Sequence, residues 1–141
     1  MSMYSPSTVN VLLVEDNADK LNSLKFILTC AGYTTVVATR EEAAVACVSR
    51  ERIHLVLIGE DFVAKHGFVL CAWLRRLFPL PIVILAPLRH PDDLTTALRL
   101  GADDYIIKPI PHSLLLARLA AVLKRNHKRK PQHRCKSCLP A

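Results

Sequence analysis

The chain has 141 residues, 51% hydrophobic but only 6% aromatic, which excludes a disordered or fibrous protein and describes one aliphatic, well-filled domain. Its formal net charge is +7, and that charge is unevenly placed. Lys124, Arg125, Lys128, Arg129, Lys130, Arg134 and Lys136 fall after residue 123 with no acid among them, so the first 123 residues are neutral and the excess belongs to a basic tail.

No export or membrane segment is visible. The opening MSMYSPST lacks a basic region, and the apolar run from Val11 to Val14 is too short to span a bilayer. Cys30, Cys47 and Cys71 sit singly inside apolar helical patterns, where a reduced, packed thiol is the ordinary state. A cytoplasmic protein with no membrane partner is expected.

The elements follow in order. Residues 9–14 (VNVLLV) read as an apolar strand, followed by Glu15, Asp16 and Asn17. Asp16 or Asn17 can cap the next helix, because both side chains accept backbone N–H groups at a helix start. Leu21, Leu24, Ile27 and Leu28 recur at helical spacing until Gly32 stops them. A β-branched strand at 33–38 and a helix at 40–51, with Ala44, Cys47 and Val48 inward, come next. Residues 53–58 (IHLVLI) form an unbroken apolar run, short enough for a strand and without a wet face, which is the pattern of a central parallel strand. A loop at 59–66 leads to a helix at 67–78 with Phe68, Cys71, Leu74 and Phe78 on one side. Residues 82–86 make another apolar strand. Pro91 can open a helix carried by Leu94, Ala97 and Leu98 and stopped by Gly101. Residues 103–107 lead a last strand into Lys108-Pro109, and a final helix from about Ser113 past Arg125 buries Leu115, Leu116, Leu119, Val122 and Leu123.

Five strands alternating with five helices predict an α/β fold: a doubly wound, five-stranded parallel sheet with helices on both faces. Ligand crevices in such sheets lie past the carboxyl ends of the strands, which places any chemistry at residues 59–61. There is no GxGxxG and no Walker-type loop, which argues against a dinucleotide or nucleoside triphosphate enzyme.

VLLVEDN (11–17), the central strand with Gly67 eight residues past its end, LPIVILA (80–86) and LRLGADDYIIKPI (98–110) together resemble the receiver domain of bacterial response regulators. The resemblance covers residues 9–125, with an extension at 1–8 and a basic tail or truncated linker at 126–141. It is closest in character to receivers that precede a winged-helix DNA-binding domain, and it implies a (βα)5 flavodoxin-like fold. In such a family a kinase histidine passes a phosphoryl group to an aspartate at the end of the third strand. An acidic pair holds Mg²⁺, a hard cation that takes oxygen ligands. A lysine ion-pairs with the phosphoryl oxygens, and a hydroxyl on the fourth strand couples the phosphate to an aromatic switch.

Carried over residue by residue, the acidic pair is Glu15 and Asp16, the lysine Lys108 and the aromatic Tyr105, with Pro109 implied to follow a cis bond. The nucleophile falls on Gly59 and the hydroxyl on Ala86, so both reactive groups are missing. Val63 stands where the family usually has proline, and His66 where an acid commonly precedes the glycine. Successive strand side chains point to opposite faces, so Glu60 is expected to aim away from the acidic pair, and Asp61 corresponds to a backbone carbonyl ligand.

Glu15, Asp16 and Lys108 read as an ion-paired remnant at the sheet end, with residual Mg²⁺ binding at Glu15 and Asp16 as the other reading; no other metal or cofactor is expected. Asp103, Asp104 and Arg118 suit either intramolecular pairs or a homodimer face made by the fourth helix, fifth strand and fifth helix. The tail suits a solvated linker or a phosphate-contacting patch. His127, His133, Cys135 and Cys138 could supply zinc ligands, but one CxxC without a partner pair is a weak signal. The expected function is a non-enzymatic, atypical receiver in a phosphorelay pathway, acting through protein partners without aspartyl phosphorylation. The alternative is the regulatory part of a DNA-binding regulator, with the tail or a further domain on DNA.

Overall fold

The computed structural model describes residues 9–128. Their strands are β1 (Asn10–Val14), β2 (Thr34–Ala38), β3 (Leu55–Gly59), β4 (Ile82–Ala86) and β5 (Asp104–Ile107). Six helices connect and follow them: α1 (Ala18–Cys30), α2 (Glu41–Arg50), α3 (Glu60–His66), α4 (Val69–Leu77), α5 (Asp93–Leu100) and α6 (His112–Lys128). All four pairings are parallel, and the sheet order is β2-β1-β3-β4-β5. This is the doubly wound, flavodoxin-like sheet. Because the order reverses between β1 and β3, the crevice opens above Val14 and Gly59, whose strands pair Val14 with Ile58.

The alternation of side chains divides the core into two layers. From β3, Val56 and Ile58 join Leu12, Val14, Ile82 and Ile84 under α2, α3 and α4. Leu55 and Leu57 turn the other way and join Val11, Leu13, Val83 and Leu85 under α1 and α6. A strand buried on both faces has no polar positions, which is why this stretch is unbroken in sequence. Each such Leu or Ile contributes about 1.5–3 kcal/mol on burial.

Local chemistry sets the helix ends. Asn17, not Asp16, caps α1: its Oδ1 accepts the Lys20 N–H at 3.0 Å. Gly32, at φ 99°, closes α1 with Tyr33 N–H on the Leu28 carbonyl and Gly32 N–H on the Thr29 carbonyl, a Schellman motif. Gly101, at φ 125°, ends α5 the same way.

Several expectations need correction. The stretch 59–66 is not a loop, because α3 occupies all but its first residue. Gly59 is the residue before that helix, and Glu60 and Asp61 suit its first turn because carboxylates favour a helix N-terminus. Val63 also matters. A proline at this fourth helical position would lack the N–H that closes the first turn, and valine keeps it. Helix α5 starts at Asp93 rather than at Pro91, and Asp93 accepts the Arg89 and His90 N–H groups at 2.7 and 3.0 Å. Its inward side is Asp93 and Ala97, while Leu94 and Leu98 face solvent. Cys30 is exposed rather than packed, whereas Cys71 is buried. In α6, Leu115, Leu119 and Val122 are buried and Leu116 and Leu123 are half-buried against the same core.

Candidate functional site

The carboxyl ends of β1, β3 and β4 bring Glu15, Asp16, Gly59 and Ala86 to one end of the sheet, and the segment after β5 adds Lys108. The Lys108–Pro109 bond is cis. Ala86 is buried and without a hydroxyl.

Glu15 is 1% exposed, and its position is the most informative in the site. Its Oε2 accepts the Asn17 N–H at 2.7 Å and its Oε1 accepts the Asp61 N–H at 3.2 Å. A Cβ built on Gly59 would lie 2.0 Å from Glu15 Oε1, 2.9 Å from its Cδ and 3.2 Å from its Cβ. The Glu15 carboxylate therefore occupies the space that a side chain at residue 59 would need. Burial pushes its carboxyl above the ordinary value, although the N–H groups of Asn17 and Asp61 and, last, Asp16 pull the other way.

Glu60 does not point away from the pocket. As the first residue of α3 it is off the strand alternation, and its Oε1 takes a short hydrogen bond from the Lys108 ammonium. Its Oε2 lies 3.2 Å from Lys20 Nζ, which also donates to Asp61 Oδ1 at 2.9 Å. Burial raises the Glu60 carboxyl, but the contacts with Lys108 and Lys20 outweigh it and leave it below the ordinary value. The Lys20 hydrogen bond likewise lowers Asp61, and Asp61 in turn raises Lys20.

Lys108, Glu60, Lys20 and Asp61 thus form a continuous chain of opposite charges from the end of β5 to α1. The expected trio does not hold together: Lys108 pairs with Glu60, Glu15 with backbone N–H groups, and Asp16 with Lys65 at 3.1 Å and His66 at 3.9 Å. Sequence reasoning missed Lys20 and Lys65 and aimed Glu60 away from the pocket. Two acids directly after a glycine, opposite an amphipathic first helix, were the available signal.

This donor set does not fit the Mg²⁺ site that the fold implies. Both Glu15 oxygens are already committed to N–H donors, Asp16 is ion-paired, and the third carboxylate is absent at Gly59. Among the described residues no group of three or more His, Cys, Asp or Glu side chains converges in metal-binding fashion.

The other predicted residues divide. Tyr105 is 2% exposed; its hydroxyl donates to the Pro87 carbonyl at 3.1 Å, and its ring meets Phe68 edge-on at 6.2 Å. Arg118 grips both Asp104 oxygens at 2.7 and 3.0 Å. Asp103 turns instead to Arg75, whose guanidinium also donates twice to the Gly101 carbonyl, and to the Ile82 N–H. Lys124 and Arg125 are exposed on the last turns of α6, and Lys128 is its final residue. Arg129, Lys130, the possible zinc ligands His133, Cys135 and Cys138, and the extension at 1–8 lie outside the described residues. No helix among the described residues is long and apolar enough to cross a membrane.

Comparison with known proteins agrees with this architecture. The family model of the response regulator receiver domain matches residues 11–120. A probable transcriptional regulator, ycf27, of Porphyridium aerugineum is 35% identical over 115 residues, covering 82% of this chain and 48% of the relative. The sensory transduction protein RegX3 of Mycobacterium bovis is 34% identical over 116 residues, covering 82% of this chain and 51% of the relative. Among solved structures, the BeF3-activated N-terminal receiver domain of Klebsiella pneumoniae RstA superposes with a TM-score of 0.75 at 33% identity, covering 82% of this chain and 98% of that one. A CheY-like receiver domain protein from Methanospirillum hungatei gives 0.78 at 25% identity, with 86% and 98% covered. The chain belongs to the response regulator receiver family of two-component signalling. It spans about half the length of the curated relatives it matches.

Proposed function

We propose that this is an atypical receiver that signals through protein contacts without aspartyl phosphorylation. The observation that carries the reading is Gly59 at the end of β3, where the family chemistry needs a carboxylate nucleophile and none is present. Ala86 supports it, because no hydroxyl is available there to bond a phosphate. Lys108 supports it as well, being engaged by Glu60 rather than free for a phosphoryl oxygen. Such a module is not an enzyme. A partner that binds one of its conformations better still biases it, so a receiver without a phosphoacceptor remains capable of signalling. Incubation with acetyl phosphate and Mg²⁺ followed by intact mass measurement should return the unmodified mass. An adduct of one phosphoryl group would overturn the reading.

The partners extend this. These relatives are named as transcriptional regulators, and the segment they share with this chain is about half of their length, which supports a role as the regulatory part, residues 9–125, of a DNA-binding regulator. The basic segment 126–141 would then contact DNA or lead to a domain that does. Removing residues 129–141 tests the segment: its phosphate contacts would make affinity fall steeply with salt, and an unchanged salt dependence would exclude it. A homodimer is supported by Leu94, Leu98, Ile107 and Leu114, all solvent-facing on elements around the edge strand β5.

A further inference from the structure

We propose that Glu15 is the built-in occupant of the vacated phosphoacceptor position, and that residue 59 is held to glycine by this carboxylate rather than by its backbone. The inference rests on the reading that residue 59 carries no phosphoryl group, and it deepens that reading by saying what fills the space instead.

The backbone gives no reason for glycine. Gly59 has φ −86° and ψ 171°, extended geometry that any residue adopts. At such a position alanine ordinarily stabilises slightly, by restricting the unfolded chain. The obstacle is the Glu15 side chain, whose Oε1 lies 2.0 Å from where a Cβ would sit. A carboxylate end is normally free to swing aside, but this one is tied at both oxygens. Oε2 holds the Asn17 N–H in the turn before α1, and Oε1 holds the Asp61 N–H in the first turn of α3. Displacing it leaves two N–H groups without their acceptor and leaves the 3.2 Å approach of the two Cβ atoms unrelieved. Glu15 is therefore a positioning residue. From the vacated position its carboxylate fastens α3 to the end of β1, and α3 in turn delivers Glu60 to Lys108.

A double-substitution cycle tests this. Gly59→Ala should lower the melting temperature by about 5 °C in the native background, opposite in sign to the ordinary effect of such a change. In the Glu15→Ala background the same substitution should lower it by less than half as much. If that background fails to fold, Glu15→Asp supplies the shorter side chain for the same comparison. In Gly59→Ala the amide protons of Asn17 and Asp61 should move upfield as they lose their acceptor, while those of α5 and α6 stay in place. Equal losses in both backgrounds, or unmoved Asn17 and Asp61 amides, would overturn the proposal. A phosphoryl adduct on the native chain, found beside an intact coupling, would instead overturn the phosphorylation-independent reading alone.

Discussion

The crevice above β1 and β3 and the edge formed by β5 with α5 and α6 are built on opposite plans. In the crevice the groups face one another: Lys108 meets Glu60, Lys20 meets Glu60 and Asp61, Asp16 meets Lys65, and Glu15 fills the room at Gly59. At the edge, Asp103 and Asp104 find Arg75 and Arg118 within the chain, but Leu98 and Leu114 remain 44% and 47% exposed. A site whose charges are already matched offers little to a small anion. An apolar surface left in water gains about 25 cal/mol for each Å² that a partner covers. The crevice is thus closed by its own charges, while the edge keeps apolar side chains in water.

The largest expected effect reopens the crevice. Gly59→Asp alone should remain unmodified by acetyl phosphate and Mg²⁺, because Glu15 holds the space. Combined with Glu15→Asp, which draws the carboxylate back from the position 2.0 Å from a Cβ at residue 59, the variant should gain one phosphoryl adduct by intact mass. An adduct on the single variant would break the contrast.

Next comes the edge. Leu98→Glu should weaken self-association by about tenfold or more, equivalent to about 1.4 kcal/mol, while changing folding stability by less than about 0.5 kcal/mol, as at other exposed positions. Sedimentation velocity over a concentration series measures the first and thermal denaturation the second.

The acid limb of stability sharpens the crevice side. Glu60 sits below its ordinary value of 4.5 and Asp61 below 3.8, so the native state binds fewer protons there than the unfolded chain. Their stabilisation is complete above those values and is lost as pH falls through the lower, folded ones. Glu15 works in the opposite sense. Raised above 4.5 by burial, it costs stability above its folded value, and that cost is relieved as pH falls toward 4.5. Glu60→Gln should therefore flatten the loss of stability below about pH 4.5 and leave the Glu15 limb above it in place, measured by urea denaturation across the acid range.

The smallest effect is expected at the surface pair. Arg118→Ala breaks two hydrogen bonds to Asp104 but frees groups that water solvates, and should cost about 0–1 kcal/mol. If it alters association more than stability, Arg118 belongs to the contact surface.

How much of this was legible in sequence varies by residue. The strand at 82–86 needed only its unbroken apolar run, since a strand covered on both faces has no polar position to confuse the pattern. Tyr105 was harder. Its neighbours Asp103 and Asp104 are polar, and only packing against Phe68 decides that the ring is buried. Leu94 and Leu98 have the spacing of a core stripe yet lie outside, because periodicity shows that a helix has an apolar face but not which face meets the sheet. The helix at 60–66 was read as a loop because, of its seven residues, only the adjacent Phe62 and Val63 are buried, too few to display a helical period.

The sequence by itself determined the parallel α/β sheet, the place where its crevice opens and the absence of a nucleophile at Gly59 and a hydroxyl at Ala86. Those follow from strand-length apolar runs and from the plain identity of single residues. Only the tertiary structure decided who occupies the crevice. That Glu15 turns into the space over Gly59, and that Lys108 answers Glu60 instead of Asp16, depends on the first turn of α3 and the approach of strands distant in sequence. Hydrogen bonds and sterics act over a few ångströms in space, and no spacing along the chain encodes those distances.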